Sequence, residues 1–201
     1  RFPMILVVNP QVPAKDLKQF VAWAKAQPNP VAYGTPGAGS PHHLATELFS
    51  DVSGLKLMHA PYKGAAPAVQ DVIGGQIPFM FVDTATGGPH VRSGKLKAIG
   101  IASLKRVQGF DTIPTLNEQG LVGFEAYAWQ GMVAPAKTPA AVVDTLNKAM
   151  VQAINSDAVK ARFQTLGLEA IPGSSKEMGA YAKAEREKWG KLIKAKGIKL
   201  D

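Results

Sequence analysis

The chain has 201 residues, 46% of them hydrophobic and 19% charged, enough to build an ordinary core in one large domain or two small ones. Its formal charge of +8 favours anionic partners, yet the lysines are scattered or, from Lys176 to Lys199, interleaved with Glu177, Glu185 and Glu187. With no basic patch carrying aromatics, nucleic acid is not an expected partner; the absence of cysteine removes disulfide and thiol chemistry, and no apolar run approaches the ~20 residues of a membrane-spanning helix.

In chain order, Arg1 to Asn9 has neither the length nor the cleavage region of a signal peptide. Met4 to Val8 reads instead as a buried strand that begins abruptly, ended by Asn9-Pro10. A helix follows in which Leu17, Phe20, Val21 and Ala24 share a face, closed by Pro28 and Pro30. Strand Val31 to Tyr33 leads into a loop with three glycines and then a helix from Pro41 to Val52, with Gly54 as its stop. Strand Leu55 to Ala60, helix Ala66 to Ile73, strand Ile77 to Val82, a short helix around Pro89 to Ser93 and strand Leu96 to Ala102 continue the alternation. Strands apolar throughout, alternating with helices, predict an α/β fold with a mostly parallel sheet and flanking helices. Beyond it lie a short helix near Thr115 to Gln119, a strand-like run Phe124 to Val133 and three helices, Pro139 to Asn155, Ala158 to Leu166 and Ser175 to Lys196. The change from alternation to helices places a boundary near Phe124 to Trp129.

The loop Gly34 to Ser40 carries most of the chemistry. Ser40 stands at an N-cap position and Pro41 at the first helical position, so the amides of a glycine-rich turn and a helix N-terminus point one way. Such a turn suits a carboxylate or phosphate, because Gly34, Gly37 and Gly39 let an anion approach the backbone. It has the spacing of neither the P-loop nor the dinucleotide fingerprint, and a tight β–α connection is the competing reading. Ligands of open α/β sheets sit beyond the carboxyl ends of the strands, which adds the loops Pro61 to Gly64, Asp83 to Gly88 and Ser103 to Arg106. No Ser–His–Asp arrangement or metal set is recognisable. His43 and Glu47 share a helix face, with His43 read as a capping or packing residue. His59 and His90 are read as structural or exposed, Lys63 as a candidate solvated lysine, and Asp83 as a candidate cap for the next helix. No catalytic residue, metal or cofactor is therefore expected.

The motifs in this order resemble the substrate-binding proteins of tripartite tricarboxylate transporters, the Bug family. They are Asn9-Pro-Gln-Val-Pro-Ala14, Tyr33-Gly-Thr-Pro-Gly-Ala-Gly-Ser-Pro-His-His-Leu44, Pro61-Tyr-Lys-Gly64 with Ala66-Pro-Ala68, and Gly75-Gln-Ile77 with Phe81 to Asp83. Gly94-Lys-Leu-Lys-Ala98, Ile113-Pro-Thr-Leu-Asn-Glu-Gln-Gly120, Trp129 to Pro135 and Lys188-Trp-Gly-Lys191 extend the match over essentially the whole chain. The resemblance implies a type II periplasmic-binding-protein-like fold of two α/β domains closing on a small carboxylate, in a periplasmic, non-enzymatic receptor for a membrane transporter. It implies a complete second domain at 9–126. Residues 1–8 and 127–201 would be crossing strands and part of a first domain whose N-terminal portion is absent, leaving an exposed sheet edge open to homo-oligomerisation. Carried over by motif, the ligand contacts are Thr35, Gly37, Gly39, Ser40, Tyr62, Lys63 and Asp83, with His43 supporting the loop. The alternatives are an enzyme using the same anion loop and a ligand-free oligomerising fragment.

Overall fold

In the computed structural model, which describes residues 1–199, five strands form the main sheet: β1 (Phe2–Val8), β2 (Val31–Thr35), β3 (Leu57–Pro61), β4 (Phe79–Asp83) and β5 (Lys97–Ile101). Their order is β3-β2-β4-β1-β5. β2 pairs in parallel with β3 and β4, while β1 lies antiparallel between β4 and β5. Four strands thus share one direction, and their carboxyl ends share one edge. The expected mostly parallel sheet is present, with its first strand reversed in the middle.

β1 shows why these strands read as unbroken apolar runs. Met4, Leu6 and Val8 enter a core with Leu17 and Phe20 of α1 (Leu17–Lys25) and Ala45 and Phe49 of α2 (Pro41–Ser53). Ile5 and Val7 enter a second core with Ala68, Val69 and Val72 of α3 (Ala65–Ile73). Helices cover both faces, so period-2 alternation of apolar and polar residues gives way to continuous hydrophobicity. Residues Met4 to Val8 are all fully buried.

Local signals set the helix ends. The Asp16 side chain accepts from the Gln19 amide at 2.7 Å to start α1, Ser40 caps α2, and Gly54 closes α2 in the left-handed conformation. Several boundaries differ from the sequence reading. Helix α4 (Thr84–Arg92) starts five residues before Pro89, so the expected loop Asp83 to Gly88 is its first turn. Asp83 caps it through the Thr86 amide at 2.9 Å, and the helical positions 87 and 88 are glycine because Val82 and Phe110 occupy the space a side chain would need. The expected helix at Thr115 to Gln119 is a turn that Thr115 and Glu118 close reciprocally. The long strand Phe124 to Val133 shortens to β6 (Tyr127–Ala128), which pairs with Phe2 and Pro3. Ile77 and Pro78 precede β4 as a turn, Ile77 with its amide directed to the Asp71 carbonyl.

From β6 the chain enters α5 (Ala140–Asn155), α6 (Asp157–Leu166) and α7 (Ser175–Lys196). A capping box between Ser174 and Glu177 opens α7. Leu192 is the sole buried side chain described in these three helices. Arg1 ties this region to β1: its guanidinium pairs with Glu169 at 2.9 Å and lies 4.0 Å over the Tyr127 ring.

Candidate functional site

β2 delivers the glycine loop to the shared carboxyl edge. Thr35, its last residue, is fully buried; its hydroxyl accepts from the Gly37 amide at 3.2 Å and lies 2.6 Å from His59 Nε2. Ser40 Oγ donates to the Gly37 carbonyl at 2.8 Å and accepts from the His43 amide at 3.3 Å. Gly37 and Gly39 have φ of +138° and +71°, which a side chain would strain. A Cβ on Gly34 would come within 2.5 Å of Ile77 Cδ1 and 3.3 Å of Ala68 Cβ, so that glycine permits Ile77 and helix α3 to pack close behind the loop.

These bonds fold the loop inward and leave two donors over. Among the described residues, the amides of Ala38 and His42 meet no acceptor within the protein. Both belong to the approach and first turn of a 13-residue helix, where the dipole adds positive potential.

The neighbouring loops supply the rest. The Tyr62 amide donates to the Thr35 carbonyl at 2.8 Å, binding the β3 loop to the β2 loop. Its phenol donates to Asp71 at 2.7 Å and is pushed up to about 12 by burial and then by that carboxylate. Lys63 is exposed beside it. Asp83 spends one oxygen on the α4 cap and lies 3.5 Å from His42 Nε2 with the other. Burial pushes its carboxyl up, but His42 and Thr86 outweigh burial and hold it below its ordinary value. The ring nitrogens of His42 are shielded from solvent and make no hydrogen bond, so its contact with Asp83 is a loose electrostatic one.

The structure therefore gathers Thr35, Gly37, Gly39, Ser40 and Tyr62 into one hydrogen-bonded loop pair, with Asp83 at the next strand end and Lys63 on the rim. His43 lies underneath, where its Nδ1 accepts from the Gly39 amide at 3.1 Å. This is the loop support expected of it. His59 has a role that sequence reasoning missed: it is paired with Tyr33 in the β2–β3 register, bonded to Thr35 and stacked on His43 with ring centroids 3.9 Å apart. Only strand register brings those two histidines together, and no local motif encodes it. Among the described residues no three His, Cys, Asp or Glu side chains gather as a metal site.

A mixed α/β sheet with flanking helices, whose glycine-rich loop runs into a helix N-terminus, is the architecture of a periplasmic-binding-protein-like lobe. The chain belongs to the tripartite tricarboxylate transporter family of receptors, whose pattern matches residues 1–198. BugT of Bordetella pertussis is 32% identical over 98% of this chain and 61% of its own length. Rpa4515 of R. palustris, solved with adipate, superposes with a TM-score of 0.91 at 29% identity, covering 98% of this chain and 66% of that one. MatC (Rpa3494) of Rhodopseudomonas palustris, solved with bound malate, gives 0.83 at 28% identity over 96% and 66%. The chain thus spans about three-fifths of the curated relative's length.

Proposed function

We propose that this chain supplies one side of the cleft of an extracytoplasmic, periplasmic solute-binding receptor, and that the ligand is a small carboxylate passed to a membrane transporter. The observation that carries the reading is the pair of unspent amides, Ala38 and His42, at the α2 N-terminus beside the Thr35 and Ser40 hydroxyls. A carboxylate offers two acceptor oxygens to such a pair, and charge-assisted hydrogen bonds are the stronger kind. Tyr62, Lys63 and Asp83 would border the ligand, with Gly37 and Gly39 keeping the backbone approachable. Relatives solved with adipate and malate support the ligand class.

In this reading residues 9–126 form one α/β domain whose sheet is completed by Met4 to Val8 of β1, Phe2 and Pro3 with β6 are the crossing strands, and the rest of 127–201 is part of the other domain. The ligand bridges the two domains and stabilises the closed state by its differential affinity for it. No catalytic step is assigned: Asp83 caps α4, His43 holds Gly39, and His59 is engaged with Thr35. The test is thermal unfolding of the full chain with malate and with adipate at pH 7.5. Either acid at 100 times its Kd adds about 2.7 kcal/mol to the native state. A folded sample that shifts with neither acid overturns the reading.

A further inference from the structure

We infer that His43 is a positioning residue that makes the anion loop proton-sensitive: only with Nδ1 unprotonated can it hold the Gly39 amide and keep the loop in its binding geometry. The inference rests on the proposed role of the loop as a carboxylate site, and it concerns how that site is regulated.

The geometry fixes the tautomer. Gly39 N–H can only donate, so His43 Nδ1, 3.1 Å away, must accept, and the ring proton belongs on Nε2. That nitrogen faces Glu47 Oε1 at 3.9 Å. Protonating Nδ1 would set one N–H against another and remove the only acceptor of the Gly39 amide. Gly39 follows the unspent Ala38 donor directly, at a φ of +71°, so turning its peptide re-aims the Ala38 side of the donor pair against the His42 amide held in α2.

Among the described residues, charged and titratable groups face His43 from α2, β2, β3 and α7. From its own helix, Glu47 faces Nε2, and His42 is the next residue toward the N-terminus. From β2, Tyr33 OH donates to the same Glu47 oxygen at 2.5 Å. From β3, His59 stacks on the His43 ring with planes 10° apart. From α7, Lys196 Nζ takes the other Glu47 oxygen at 3.3 Å and Asp51 at 2.5 Å. Glu47 is thus shared by Tyr33 and Lys196, which limits what it offers an imidazolium. A second imidazole in van der Waals contact disfavours two charges in the stack. Burial lowers the His43 pKa below its ordinary value, with Glu47 opposing. The ring is therefore neutral at pH 7.5 and takes its proton below the ordinary histidine range.

The conservative replacement is His43→Asn, because an Asn side-chain oxygen can take the place of Nδ1 as an acceptor but does not titrate. The Gly39 amide resonance, followed by nuclear magnetic resonance without ligand from pH 7.5 down to the onset of acid unfolding, should shift through one titration in the native chain and stay flat in H43N. A Gly39 resonance that titrates equally in both, or in neither, overturns the inference whether or not any acid binds. The second readout is the affinity for malate, with the native-to-H43N ratio cancelling the ligand's own titration. H43N should match the native chain at pH 7.5 and hold its affinity as the pH falls, while the native chain drops behind by up to roughly tenfold once His43 takes its proton, the scale of one lost hydrogen bond. A ratio independent of pH also overturns the inference. Absence of malate and adipate binding at pH 7.5 would count against the carboxylate reading alone, since the resonance test stands without it.

Discussion

Two regions of one chain each carry the apolar pattern of a core-facing element and meet different fates. In the sheet region Met4 to Val8, Phe20, Phe49, Phe79 and Phe81 are all fully buried. In α5 the stripe Val142, Val143, Leu146, Met150 and Ile154 has the helical spacing of a core face, yet Val142 and Leu146 remain 46% and 47% exposed. An amphipathic pattern specifies a helix and the side it would bury; it does not specify what covers that side. Sheet strands find their partners within this sequence, whereas α5 buries no side chain, and the C-terminal region meets the sheet region through Leu192, Trp189, Gly167 and the ties of Arg1, Lys188 and Lys196.

The contrast can be tested at its extremes. Phe49→Ala, which removes a ring packed on Phe20, Phe81 and Phe124, should cost about 3–5 kcal/mol in urea unfolding. Leu146→Ala should stay within about 0.5 kcal/mol. Equal costs would mean that the α5 face is buried in solution. Gly34→Ala comes next, at about 1–3 kcal/mol, because the added methyl must displace Ile77. Its loss should appear in the same transition as that of Phe49→Ala, since both lie in the sheet region.

Asp83→Ala removes the α4 cap and should cost about 1 kcal/mol at pH 7. The Asp83 carboxyl is held below its unfolded value, so its contribution is present above the ordinary aspartate range and is lost as pH falls through the folded value. Acid unfolding of Asp83→Asn should lack that component, measured as a flatter stability curve below about pH 4. The smallest effect belongs to the tie between the regions. Lys196→Met breaks a partly exposed pair with Glu47 and Asp51 and should cost under about 1 kcal/mol, fading in high salt. A larger loss would show the two regions unfolding as one.

Legibility in the sequence tracked how local each determinant was. Ser40-Pro41, Gly54 and the apolar strands are written in neighbouring residues, and the elements they predict are present. The Gly34 to Ser40 loop was legible for the same reason. The reversal of β1 was not, because strand direction depends on partners more than 70 residues away. Helix α4 began earlier than Pro89 suggested because Gly87 and Gly88 serve close packing there, which sequence cannot tell from turn formation. The His43–His59 stack was hidden behind the register of two strands, whereas the His43–Glu47 neighbourhood was visible as a simple helical spacing.

The reversed strand has a kinetic consequence. β1 precedes its partners in the sequence, yet its ladders are with residues 79–83 on one side and 97–101 on the other. The parallel trio β3-β2-β4 can assemble from residues 31–83, leaving β4 with an unpaired edge until β1 returns to fill it. Closing such long loops is entropically slow, so folding of this chain should be governed by insertion of its own N-terminal strand between partners already in place. During that interval the most hydrophobic segment of the protein, Met4 to Val8, is the part left waiting in solvent.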